Sequence, residues 1–155
     1  MSGKWYEEME PGMVIKHDVT RTCTETDNLL FTVLGHNDQP LHLDVEFAKK
    51  SKHGAIAVNS LWTLNLIGGI SVRKTTLGTT MGNLGYDEIR FPNPVRIGDT
   101  IHGETHILDK RESKKYPNAG IVTFKDIGMN QKDEIVVTAI RKGMVYKKPQ
   151  AETGA

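Results

Sequence analysis

An α+β fold, with a curved antiparallel sheet wrapped around one long buried helix, is expected from three features of the chain. Residues 56–67 (Ile-Ala-Val-Asn-Ser-Leu-Trp-Thr-Leu-Asn-Leu-Ile) are apolar almost all round a helical wheel, the pattern of a helix enclosed by other structure. Downstream the period changes: residues 75–91, 100–108, 119–129 and 134–146 are rich in Ile, Val, Thr and Phe. Between them stand only short turn signals, Pro92-Asn93-Pro94, Gly98-Asp99, Tyr116-Pro117-Asn118 and Asn130-Gln131-Lys132-Asp133. Such turns leave no room for crossover helices, so the sheet should be mainly antiparallel.

In chain order, residues 13–22 read as a first strand. A helix over 24–34 follows, with Thr24 as N-cap and Asp27 three residues on, close to a capping box. Leu30, Val33 and Leu34 form its apolar stripe and Gly35 stops it. A short helix over 44–51 is capped by Asp44 and turns Phe47 and Ala48 inward. It ends on Lys49 and Lys50, where the helix dipole favours cations. The apolar helix comes third and is expected to break at Gly68-Gly69; about 15 residues span roughly 22 Å, enough to cross a small domain. About five strands leave a sheet edge and one end of that helix uncovered, so a homodimer, or a higher assembly of dimers, is expected. Residues 149–155 read as a flexible tail, leaving 1–148 as a single domain.

Composition narrows the function. Lys and Arg number 20 against 19 Asp and Glu, a net charge of +1 with His neutral. That balance argues against nucleic acid, whose binding rests on phosphate neutralisation, and against a polybasic membrane-surface role. No apolar run reaches the roughly 18 residues of a membrane span. The single cysteine, Cys23, forms no internal disulfide and supplies no cysteine-based zinc site. With a polar, acidic start instead of a secretory signal, the expected location is cytoplasmic.

Chemistry concentrates in residues 35–44, Gly-His-Asn-Asp-Gln-Pro-Leu-His-Leu-Asp, a dense polar run between helices. Pro40 fixes its own φ and pushes Gln39 out of the helical region, giving a rigid loop that presents Asn37, Asp38 and His42. A polar turn capped by Asn37 or Asp38 is the bland alternative. His102 and His106 share a strand face, but no third metal ligand stands near them. Residues 78–85 are glycine-rich without Gly-x-Gly-x-x-Gly spacing, so they read as strand glycines. Cys23 has no activating partner and reads as buried; Trp62 reads as core and as a possible wall of an acyl pocket.

The run Asn37-Asp38-Gln39-Pro40-Leu41-His42-Leu43-Asp44, followed by Glu46-Phe47-Ala48, resembles the hydratase motif Asp-x-Asn-Pro-x-His-x-Asp of the MaoC-like dehydratases, the (R)-specific enoyl-CoA hydratases. The stretch Trp5-Tyr6-Glu7-Glu8-Met9-Glu10-Pro11-Gly12 is similar to the family's opening. Arg90-Phe91-Pro92-Asn93-Pro94-Val95-Arg96-Ile97-Gly98-Asp99-Thr100 is similar to its Arg-Phe-x-x-Pro-Val-x-x-Gly-Asp-Thr segment. The closest-looking branch contains mesaconyl-CoA hydratases, on Val58-Asn59-Ser60, Arg111-Glu112-Ser113-Lys114 and Asn118-Ala119-Gly120-Ile121-Val122 among others. The resemblance implies the hot-dog fold, dimers or assemblies of dimers, and a hydro-lyase. The enzyme would add or remove water across the 2,3 double bond of an enoyl-CoA, with a short branched or dicarboxylic acyl group. Coenzyme A is then part of the substrate, and no metal or separate cofactor is implied.

In the family an Asp and a His five residues on hold the water. Here the His position is His42 and the Asp position is Asn37, which cannot take up a proton but can still accept a hydrogen bond. His42 would be the ionisable group with Asn37 orienting the water, and Asp38 is the rival. The family's oxyanion donor is a backbone amide at the start of the buried helix and aligns with Asn59, so the Val58, Asn59 and Ser60 amides are candidates. Simple capping of the helix by Asn59 or Ser60 is the alternative. Arg90 is a candidate partner for a substrate carboxylate. Two other functions stay open: a hot-dog acyl-CoA thioesterase, and a non-catalytic acyl-CoA-binding protein that has lost the catalytic carboxylate.

Overall fold

The computed structural model describes residues 3–149, so most of the expected tail lies outside the described residues. A 3-10 turn (Tyr6–Glu8) leads into strands β1 (Val14–Lys16) and β2 (Arg21–Thr22). Helices α1 (Glu25–Leu34), α2 (Pro40–Leu43), α3 (Val45–Lys50) and α4 (Ser60–Val72) follow. The chain then builds β3 (Thr80–Arg90), β4 (Thr100–Glu112), β5 (Ala119–Met129) and β6 (Ile135–Tyr146). The sheet order is β1-β4-β5-β6-β3, with β2 attached to β4 and every pairing antiparallel.

α4 packs against β4, β5 and β6. Ile67, fully buried, sits over Gly103 of β4 and Gly128 of β5. A Cβ at Gly103 would collide with the Ile127 carbonyl and with the Ile67 side chain, so the absence of a side chain sets how closely the helix approaches the sheet. One apolar cluster joins α4 to the sheet through Trp62, Ile67, Ile70, Ile101 and Val137. A second, under the N-terminal turn, gathers Tyr6, Met9, Ile107, Val122 and Phe124.

Local signals behave as read at the caps. The Thr24 side chain accepts from the Asp27 N–H, and the Asp27 carboxylate accepts the Thr24 N–H at 2.9 Å. Asp44 caps α3 through the Phe47 N–H at 3.0 Å.

Several expectations are corrected. The 13–22 strand splits into β1 and β2. The loop at 40–43 closes one helical turn, α2, because proline suits a first helical position. α4 starts at Ser60, with Asn59 as its cap, and runs through Gly68-Gly69 to Val72. Burial of Ile70 and Ser71 outweighs the roughly 1 kcal/mol that each helical glycine costs. Thr75 then extends the helical bonding, its Oγ1 donating to the Ser71 carbonyl at 2.7 Å, so β3 begins at Thr80 and not at 75.

The Leu30, Val33 and Leu34 stripe of α1 faces outward, and Asn28 and Thr32 hold the buried face. Ala48 is buried, but Phe47 is exposed. α4 is likewise enclosed on one side only, with Leu61 and Asn65 open.

Candidate active site

Asn37 starts the construction. Its Oδ1 accepts the Gln39 N–H at 3.1 Å, an Asx turn that carries the chain from the α1 stop towards Pro40. Gln39 is extended (φ −60°, ψ 116°), as a residue before proline should be. The α2 turn then projects His42 towards the segment that enters α4. There the imidazole Nδ1 lies 2.7 Å from the Ala57 carbonyl oxygen. A carbonyl only accepts, so Nδ1 carries the proton, and in the neutral ring Nε2 presents a lone pair.

A buried neutral network fixes the same corner. The Asn28 Nδ2 donates to the His42 carbonyl at 2.9 Å, and its Oδ1 accepts the Asn59 N–H at 3.0 Å. The Asn59 Nδ2 donates to Thr32 Oγ1 at 3.4 Å. Of the candidate amides, Val58 N–H is taken by the Val95 carbonyl at 2.9 Å, and Asn59 N–H by Asn28. The next two amides of the helix, Leu61 and Trp62, bond the side chain and carbonyl of Asn59. Ser60 N–H has no hydrogen-bond partner among the described residues. It stands at the positive end of a 13-residue helix, where a developing negative charge is favoured.

His42 lies between two cavities. The larger, about 500 Å³, is lined by Asn28, Leu29, Ile56, Arg96 and Ile97. The smaller, about 290 Å³, contains Ser60 together with Thr63, Lys52, His53, Phe91 and Val95. His42 and Ser60 thus share one hollow.

Asn37 and Asp38 line neither cavity, and Asp38 is exposed. Arg90 sits on the sheet-edge strand β3, its Nε donating to Glu88 Oε1 at 2.9 Å, and also lines neither. That guanidinium holds the Glu88 carboxyl below its ordinary value. Trp62 is core, and its exposed edge borders a different hollow, with Asn65 and Arg73. Burial, reinforced by Asp27 and Asp99, pushes the Cys23 thiol up to about 12 and leaves no nucleophile there. The His102 Nε2 faces the Asn130 carbonyl at 3.0 Å, and His106 Nε2 faces Glu104 at 2.7 Å, so each ring is engaged separately.

The sequence reading missed Asn28 and Thr32, and it did not foresee the structural role of Arg96. Arg96 clamps the loop before α4, donating to the carbonyls of His53, Ala55 and Ile56 at 2.7–3.1 Å. A signal for the first two was available: Thr24, Asn28 and Thr32 recur every four residues, a polar stripe on a helix otherwise rich in Leu, Phe and Val.

This arrangement, a small antiparallel sheet on a central helix with a histidine at that helix's amino end, matches a known class of domain. The chain belongs to the MaoC-like domain family, which it matches over residues 7–130. Among curated relatives is the mesaconyl-CoA hydratase of Cereibacter sphaeroides, 31% identical over 150 residues. The match covers 97% of this chain but 43% of that relative, so the chain spans less than half its length. Among solved structures, the monoamine oxidase regulatory protein of Archaeoglobus superposes with a TM-score of 0.85 at 31% identity, covering 96% of this chain and 98% of the other. A Mycobacterium tuberculosis protein with a double hotdog fold gives a TM-score of 0.84 at 21% identity, covering 99% of this chain and 47% of that one. The fold is a hot-dog fold, as expected. Among the described residues no helix is long and apolar enough to cross a membrane.

Proposed function

We propose that the protein is a hydro-lyase that adds or removes water across the 2,3 double bond of an enoyl-CoA, with a short branched or dicarboxylic acyl group. The observation that carries this reading is the Nδ1–H of His42 bonded to the Ala57 carbonyl at 2.7 Å, which leaves Nε2 as a base in the hollow it shares with the Ser60 amide. In hydration, Nε2 takes a proton from water as the water oxygen bonds to the β-carbon. Negative charge moves to the thioester oxygen, where the Ser60 N–H and the helix dipole hold it. The α-carbon then takes the proton from the imidazolium, restoring the carbonyl and the neutral ring. Asn37 lines neither cavity and acts through the Asx turn that aims His42; orientation of the water by Asn37, or by its rival Asp38, would require residues 37–39 to move into the hollow. Arg90, paired with Glu88 at the β3 edge and outside both cavities, is the candidate for a substrate carboxylate that extends beyond the hollow.

Family membership and the mesaconyl-CoA hydratase relative support the substrate class. We also propose a working homodimer. Among the described residues β3 pairs only with β6, and it exposes Leu84, Tyr86 and Ile89, while α1 exposes Leu30, Val33 and Leu34. A second copy covering these surfaces supplies what the second unit supplies in a double hot-dog chain.

The test is a panel of enoyl-CoAs (crotonyl, mesaconyl, itaconyl and longer) followed by loss of enoyl absorbance, with chiral analysis of the products. Turnover of a short branched or dicarboxylic member is expected. Release of free thiol without loss of the alkene would make the protein a thioesterase, and tight binding without turnover would make it an acyl-CoA-binding protein.

A further inference from the structure

We infer that Asn28 is a positioning residue for the reaction proposed above: one side chain that sets the spacing between the His42 base and the Ser60 oxyanion amide. The inference rests on that proposed reaction. Asn28 is 3% exposed on α1. Its amide has two ends, and each holds a different half of the site. The Nδ2 donates to the backbone carbonyl of His42 at 2.9 Å, and the Oδ1 accepts the backbone N–H of Asn59 at 3.0 Å. The chemistry of the partners fixes the orientation, since a carbonyl cannot donate and an amide N–H cannot accept.

Two consequences follow from this bridge. First, the only other link from His42 to the α4 entry among the described residues is its ring bond to Ala57, and a rotatable imidazole alone does not fix where the α2 backbone stands. Asn28 ties that backbone directly to the residue before α4. Second, by occupying the Asn59 N–H, Asn28 makes Ser60 the first amide of the helix left to a ligand. Thr32 supports the bridge from one turn further along α1, with its Oγ1 3.4 Å from Asn59 Nδ2. The network is buried and neutral, so it holds geometry without adding charge beside the base. Displacing a reacting group by about 1 Å is enough to lower a rate roughly 100-fold.

The experiment compares wild type, Asn28→Ala, Asn28→Asp and His42→Ala with the best enoyl-CoA of the panel, each checked for folded fraction and oligomeric state. Asn28→Ala should lower kcat at least 10-fold per folded molecule, with KM changed less than 3-fold. Asn28→Asp keeps an acceptor for the Asn59 N–H but sets a carboxylate beside His42. It should move the acidic limb of the pH–rate profile upward, a shift that a purely structural role would not produce. If folded Asn28→Ala retains more than a third of wild-type kcat, or if its activity loss equals its loss of folded protein and the Asn28→Asp profile is unmoved, the positioning role is overturned. Retention by Asn28→Ala while His42→Ala is inactive sinks this inference alone. An active His42→Ala, or a wild type that turns over nothing, sinks the proposed reaction and the inference with it.

Discussion

The two ends of α4 carry two buried polar networks of opposite character. At the amino end, Asn28, Thr32 and Asn59 are neutral and, among the described residues, leave a lone pair on His42 and an N–H on Ser60 unused. At the carboxyl end, Arg141 of β6 donates to Asp126 of β5 at 2.7 Å and to Ser71 of α4 at 3.2 Å. Thr105 donates to the other Asp126 oxygen at 2.6 Å, and the Arg141 guanidinium lies 4.3 Å from the Phe124 ring centroid. Charge there is matched and enclosed, with Asp126 1% exposed. The difference separates two uses of buried polarity: the charged network locks helix to sheet, and the neutral one leaves free the groups that the proposed reaction would use.

The sharpest break in the comparison is His42→Ala, which should lower kcat by about 10²–10⁴, the usual worth of a general base, with the melting temperature little changed. A near-normal kcat in the enoyl-CoA assay would remove the chemistry from the amino end. At the other end, Arg141→Met should destabilise by about 3–5 kcal/mol in denaturant titration, because it strands the buried Asp126 charge. Combining it with Asp126→Leu should recover most of that loss, since an apolar pair leaves no ion unpaired. If the single variant is as stable as wild type, the network is not a lock.

His17 gives a smaller, pH-dependent test. Thr105 spends its proton on Asp126, so His17 must donate Nε2–H to Thr105 Oγ1 at 2.9 Å. Its Nδ1 is buried without a partner among the described residues. Desolvation lowers its pKa from about 6.5, with Lys74 adding to the effect and Asp126, Asp18 and Glu104 opposing it. The folded form therefore binds fewer protons than the unfolded one, and this part of the stability is complete above about 6.5 and declines as the pH falls below it. His17→Gln should flatten the melting temperature between about pH 7 and 5, and an unchanged slope would contradict the assignment. Smallest of all, Asp38→Ala should leave kcat within about 3-fold of wild type, while Asn37→Ala, which loses the Asx turn, should lower it more. The reverse order would hand the water to Asp38.

The two ends also differed in how readable they were. Pro40 and His42 stood out because a fixed φ and an imaging of the family motif onto residues 37–44 coincide in one short loop. Strands β4, β5 and β6 were legible from their β-branched runs, since burial in a sheet selects for that composition. The span of α4 was not, because a Gly-Gly pair reads locally as a break and only tertiary packing reverses it. Asn28 was hidden for a similar reason: its partners are backbone groups of residues 42 and 59, and side-chain identity at those positions carries no trace of the contact. The outward leucines of α1 misled because a stripe specifies burial against something without saying what.

The bond from His42 to position 57 has an evolutionary corollary. The acceptor is a main-chain oxygen, so replacing the Ala57 side chain does not delete it, and the ring's tautomer is insulated from ordinary codon drift at its own partner. The vulnerable neighbour is residue 58, whose N–H bonds Val95: proline there would abolish that bond and shift the peptide whose oxygen selects the tautomer.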